Sequence, residues 1–149
     1  MQEFTLSATG NKTFKSGDAR GKKLVVYFYP KDDTPGCTVE GSDFRQLYSE
    51  FQRLNCEIVG ISRDSIASHE KFKAKLELPF DLLSDETGAI CKQFAVMKIK
   101  NMYGKEVEGI DRSTFLFDEN GNLIHEWRGI KSAGHAQIVL ETLKSLQEK

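Results

Sequence analysis

No segment limits the possible folds more than Leu24-Val25-Val26-Tyr27-Phe28-Tyr29, an unbroken apolar, β-favouring run that stops at Pro30. A strand with one wet face alternates apolar and polar residues, so a continuous run calls for cover on both faces. The loop Pro30-Lys31-Asp32-Asp33-Thr34-Pro35-Gly36 follows. Beyond it Phe44, Leu47, Tyr48, Phe51 and Leu54 recur at helical spacing, which predicts a long helix beginning near Cys37. Ile58-Val59-Gly60-Ile61 reads as the next buried strand. Strand, crossover helix and strand form a parallel βαβ unit, which needs helices packed against its sheet.

The remaining pattern completes an α/β domain. Alternation over residues 3–14 around Gly10-Asn11 predicts a small hairpin. Asp64-Ser65 can cap a second helix reaching about Leu76. A short extended piece at Asp81–Leu83 and a helix over Thr87–Phe94 come next. Residues 113–118 and 122–127 flank Glu119-Asn120-Gly121, a turn signal that predicts an antiparallel hairpin. Ala136, Val139, Leu140, Leu143 and Leu146 then mark a C-terminal helix, with Ser132 as its candidate cap. A parallel unit followed by an antiparallel hairpin and a closing helix predicts a thioredoxin-like α/β fold, a mixed central sheet flanked by helices.

At 149 residues, without linker, repeat or low-complexity stretch, the expectation is one domain over 1–149. Twenty-one Lys and Arg against 22 Asp and Glu leave a net charge of -1, which disfavours nucleic acid as a partner. The apolar run at 24–29 is far short of the roughly 20 residues a membrane helix needs. The start Met1-Gln2-Glu3-Phe4-Thr5-Leu6 lacks the basic and apolar regions of a signal peptide. No membrane association and a cytoplasmic location are therefore expected.

Chemistry concentrates at Cys37. The three cysteines, Cys37, Cys56 and Cys91, show neither CxxC nor zinc spacing nor a disulfide framework. Only Cys37 lies at the carboxyl end of a central strand and the start of a helix, where open α/β sheets bind ligands. Free N–H groups and the helix dipole bias a thiol there toward thiolate. That dipole supplies roughly 0.3–2 kcal/mol, enough to lower a thiol by about one pKa unit, so a cation from elsewhere is needed. Thr34, three residues before the thiol, is a local hydroxyl donor.

Pro30, Thr34 and Cys37 form the pattern PxxxTxxC, and the segment YFYPKDDTPGCTVEGSDF resembles the peroxiredoxins in the form carried by the peroxiredoxin Q, or bacterioferritin comigratory protein, branch. The resemblance continues through residues 59–65, 78–86 and 109–121 and so spans most of the chain. It implies a peroxidatic nucleophile at Cys37, with Thr34 orienting thiolate and peroxide. Arg112 would be the missing cation, and Pro30 would shape the pocket. The implied activity is thiol-dependent reduction of hydrogen peroxide and organic hydroperoxides through a sulfenic acid, with no metal or organic cofactor.

Two departures matter. Members of this branch often carry a resolving cysteine five residues after the first, or in the helix after the second central strand. Those positions here hold Ser42 and Lys73. Cys91 matches a place where relatives can carry a cysteine that is not resolving, and Cys56 reads as a small core residue. The chain thus resembles a single-cysteine variant, expected as a monomer and recycled by an external thiol such as thioredoxin or glutathione with glutaredoxin. A peroxide-sensing module with slow turnover is the alternative, and hydrolysis through a Cys–His pair a distant third. Asp32, Asp33 and Glu40 lack calcium-loop spacing and are expected to form a solvated rim. His69, His125 and His135 are expected on the surface.

Overall fold

A computed structural model describes residues 3–147. The chain begins with a hairpin, β1 (Thr5–Ala8) and β2 (Lys12–Lys15), and a short 3-10 turn at Ser16–Ala19. Strand β3 (Lys23–Phe28) leads to helix α1 (Pro35–Arg53), then β4 (Cys56–Ser62), α2 (Ile66–Leu76) and β5 (Asp81–Ser84). Helix α3 (Ala89–Gln93) precedes a second hairpin, β6 (Met97–Met102) and β7 (Lys105–Ile110). The chain continues through β8 (Ser113–Phe117), β9 (Leu123–Arg128) and α4 (His135–Gln147).

The main sheet runs β2-β1-β5-β4-β3-β8-β9, parallel from β3 through β4 to β5 and antiparallel elsewhere. It is the mixed, helix-flanked sheet of a thioredoxin-like fold. The run at 24–29 sits inside it, β3 lying between β4 and β8, and its alternation serves two cores. Val25, Tyr27 and Tyr29 face one layer with Phe44 and Phe51 of α1 and Val139, Leu140 and Leu143 of α4. Leu24, Val26 and Phe28 face the other, with Cys91, Val96, Phe115 and Phe117. Full burial of such a side chain contributes roughly 1.5–3 kcal/mol, so this one strand is a major source of stability.

Gly60 in β4 shows how tight the first layer is. A Cβ there would lie 2.8 Å from the Tyr27 ring and 3.0 Å from Leu82 Cδ2. The ring occupies the space a side chain would need, and it stacks on Phe44 at 4.8 Å between centroids.

Most expected elements are present with shifted ends. Helix α1 starts at Pro35, two residues before Cys37, because proline's fixed φ suits the first helical position. Ser65 caps α2 by accepting from Ser68 N–H. Helix α3 is shorter than the expected 87–94, since Gly88 takes a left-handed conformation at φ 79° and delays its start. Ser132 does not cap α4, which begins at His135; its carbonyl instead accepts from His135 N–H at 3.4 Å. The β6–β7 hairpin was not expected, although Lys98, Lys100 and the turn at Tyr103-Gly104 carry its alternation.

Among the described residues, no helix is long and apolar enough to cross a membrane.

Candidate active site

Strand pairing brings the site together. Phe28, the last residue of β3, lies opposite Ser113, the first of β8. The chain leaving β3 and the residue entering β8 therefore share one sheet edge. From that edge the loop after β3 carries Cys37 into the first turn of α1, while Arg112 stands just before β8. Arg112 Nη2 donates to Cys37 Sγ at 3.4 Å. Seventy-five residues of sequence separate the two.

The first helical hydrogen bond of α1 runs from Thr38 N–H to Thr34 O at 2.9 Å. The N–H groups of Gly36 and Cys37 precede it and lie at the positive end of the helix. Gly36 lets the guanidinium approach the helix start closely. A Cβ there would sit 3.0 Å from Arg112 Nη2 and 3.4 Å from Ser132 Oγ. Cys37 itself is 2% exposed.

Arg112 has a second partner that sequence reading misplaced. Its Nη1 donates to Glu40 Oε1 at 2.6 Å, and the Glu40 side chain is wholly buried. Glu40 follows Cys37 by three residues, so both project from one helix face toward the same guanidinium. The signal was that i, i+3 spacing. Burial raises the Glu40 carboxyl to about 7, against the opposing charge of Arg112, and among the described residues its Oε2 has no hydrogen-bond partner. Burial also disfavours the Arg112 charge, but Glu40 and Cys37 beside it outweigh that and hold it protonated.

Thr34 precedes α1 with extended backbone, and its hydroxyl donates to Lys31 O at 2.8 Å. Among the described residues it makes no hydrogen bond to Cys37, though its oxygen can still accept. Pro30 is half-buried at the end of β3.

The acidic rim and the surface histidines need correction. Asp33 is exposed, but Glu40 and Asp32 are buried. Asp32 Oδ1 accepts from Tyr29 O–H at 2.6 Å, while Oδ2 accepts from Ser68 Oγ at 2.8 Å and faces His69 Nδ1 at 2.7 Å. Desolvation alone would raise this carboxyl; these hydrogen bonds outweigh it and hold it below its ordinary range. His69 is buried with Asp32, and His135 is buried against Phe44 and Trp127. Burial, with Arg112 nearby, pushes His135 down to about 4. His125 is exposed, as expected. Charge and polarity misled here because each buried group has a partner distant in sequence.

Cys56 and Cys91 lie apart from this edge. Cys56 opens β4 in one core, and burial raises its thiol to about 12. Cys91, in α3, belongs to the other core, and its thiol is raised by burial and then by Asp85. Ser42 is half-buried on α1, and Lys73 pairs with Asp81 at 2.9 Å.

The family model described as the AhpC/TSA family matches residues 1–126. Peroxiredoxin Bcp of Xanthomonas campestris pv. campestris is 49% identical, over 96% of this chain and 89% of its own length. Peroxiredoxin Bcp of Bacillus subtilis is 47% identical over 99% of this chain and 94% of its own. A solved structure of the Xanthomonas campestris bacterioferritin comigratory protein, described for its alkyl peroxide reduction activity, superposes with a TM-score of 0.91. It is 48% identical and covers 95% of this chain and 90% of its own. The matched family, these relatives and the shared fold agree: the chain belongs to the AhpC/TSA family, in its peroxiredoxin Q/Bcp branch, and is a thiol peroxidase.

Proposed function

We propose that Cys37 is the peroxidatic nucleophile, acting on hydrogen peroxide and organic hydroperoxides with an external thiol as reductant. The observation that carries this is the Arg112 guanidinium placed between Cys37 Sγ and Glu40. The alkyl peroxide activity of the Xanthomonas campestris relative supports organic hydroperoxides as substrates.

The Cys37 thiolate attacks one peroxide oxygen in line with the O–O bond. A sulfur–oxygen bond forms, the O–O bond breaks, and sulfur gives up two electrons. The leaving alkoxide or hydroxide takes a proton and departs as alcohol or water, leaving Cys37 as sulfenic acid. Arg112 donors fixed beside sulfur stabilise the charge that shifts onto the oxygens. Thr34 and the N–H groups at the helix start supply further donors and acceptors, and Pro30 shapes the entrance.

A first external thiol displaces water from the sulfenic acid, forming a mixed disulfide. A second thiol releases Cys37 and leaves as disulfide. Ser42 and Lys73 at the usual resolving positions support an external source, as do Cys56, which shares the core of Cys37 but pairs with Lys23 at the opposite end of β3, and Cys91 in the other core. Thioredoxin and glutathione with glutaredoxin are the proposed reductants.

Peroxide consumption with each reductant system tests the reading. Wild type and the Cys56→Ser and Cys91→Ser variants should turn over, and Cys37→Ser should not. Retained turnover in Cys37→Ser overturns it.

A further inference from the structure

One hydrogen bond within the loop delivering Cys37, from Thr34 O–H to Lys31 O, is joined by restraints from outside it. Asp33 has a left-handed backbone at φ 60°, and among the described residues no side-chain bond caps the helix start at Thr34. An exposed ion pair, Lys75 Nζ to Asp33 Oδ1 at 2.6 Å, holds the loop from outside, but its buried restraints meet at Asp32. Its N–H donates to Asp64 Oδ2 at 2.9 Å, and its carboxylate takes the Tyr29, Ser68 and His69 contacts described above. Asp64 Oδ2 is itself fixed by Ser62 Oγ at 2.6 Å.

His69 joins this loop to the sheet. Its Nε2 donates to Leu83 O of β5 at 2.9 Å, while Nδ1 meets Asp32 Oδ2. A carbonyl can only accept, so Nε2 carries the hydrogen toward Leu83 O and Nδ1 is left facing Asp32. The ring and carboxylate are 0% and 4% exposed. Burying such a pair is no better for stability than an apolar pair of the same shape, so its role lies in geometry. Asp32, Asp64 and His69 bring ligand-type atoms within 4.8 Å, but those atoms are already used in the hydrogen bonds named.

We infer that His69 and Asp32 are positioning residues for Cys37: the imidazole, carried on α2 and oriented by Leu83 O, holds Asp32 and so sets the helix start against Arg112. This rests on the proposed role of Cys37. The restraint runs from the imidazole on α2 to Asp32, across the left-handed turn at Asp33, and into α1.

Two near-isosteric variants separate positioning from stability. In His69→Asn the amide nitrogen replaces Nδ1 and keeps the bond to Asp32 while losing Leu83. In His69→Gln it replaces Nε2 and keeps Leu83 while losing Asp32. Both should lose comparable stability in urea. The peroxide rate of His69→Gln should fall roughly tenfold to hundredfold, as expected for small displacements of a reacting group, with His69→Asn nearer to wild type. Iodoacetamide alkylation of Cys37, which needs no peroxidase activity, should rank the variants in the same order. Equal rates in the two variants, or a slower His69→Asn, overturn the inference. If either variant fails to fold, the double substitution Tyr29→Phe with Ser68→Ala removes two donors from Asp32 and leaves His69 in place. A several-fold loss in its peroxide and alkylation rates supports the inference, and unchanged rates overturn it. Wild-type turnover separately tests the role of Cys37.

Discussion

Glu40→Gln isolates the buried carboxyl beside Arg112. The amide keeps the shape of the side chain and a carbonyl oxygen to accept from Arg112 Nη1, but it cannot ionise. In the native protein burial raises Glu40 from an ordinary 4.5 to about 7. A carboxyl raised on folding stabilises fully below its unfolded pKa and loses that contribution as pH rises through the folded one. The shift corresponds to roughly 3 kcal/mol, most of which lies between about pH 5 and about pH 8. His135, held down to about 4, acts oppositely: its contribution is present above about 6.5 and disappears as pH falls toward 4. The wild-type profile alone therefore partly cancels. The difference between wild type and Glu40→Gln removes His135, which both contain. Urea unfolding at the two pH values should show the Gln variant gaining about 2–3 kcal/mol on wild type from the lower to the higher pH. A difference independent of pH would refute the raised carboxyl.

Three further outcomes test the same edge of the sheet. Gly36→Ala should change stability by no more than about 1 kcal/mol, since alanine favours the helix, yet slow the peroxide reaction roughly tenfold by displacing Arg112. Urea unfolding with stopped-flow rates checks both; an unchanged rate removes the steric argument. Arg112→Lys keeps a charge but not the fork that reaches both Cys37 and Glu40, so the peroxide rate should fall about hundredfold. The same stopped-flow assay measures it, and a near-native rate would show that charge alone suffices. The His135 imidazole should show no titration near 6.5 by NMR, because burial and then Arg112 hold it neutral until about pH 4; a midpoint near 6.5 contradicts this.

The central βαβ unit was legible because its signals are local: an unbroken apolar strand, a Pro/Gly-punctuated loop and a helical stripe. The special placement of Cys37 followed from the same signals. Arg112 was reached through family resemblance, since nothing near residue 112 announces a partner at residue 37. Glu40 and Asp32 looked like solvent-facing charges because Arg112 and His69, which compensate their burial, are remote in sequence. The β6–β7 hairpin was missed despite its alternation, because Ile99 and Val107 are exposed and the segment buries little to mark it as part of the fold.

The most direct measurement treats the reduced protein with one equivalent of peroxide in the absence of other thiols, adds a sulfenic-acid trap, and maps the peptides by mass spectrometry. A single adduct should appear on Cys37. An adduct confined to Cys56 or Cys91, or near-complete linkage of Cys37 to either within one chain, would contradict a single-cysteine mechanism centred on Cys37.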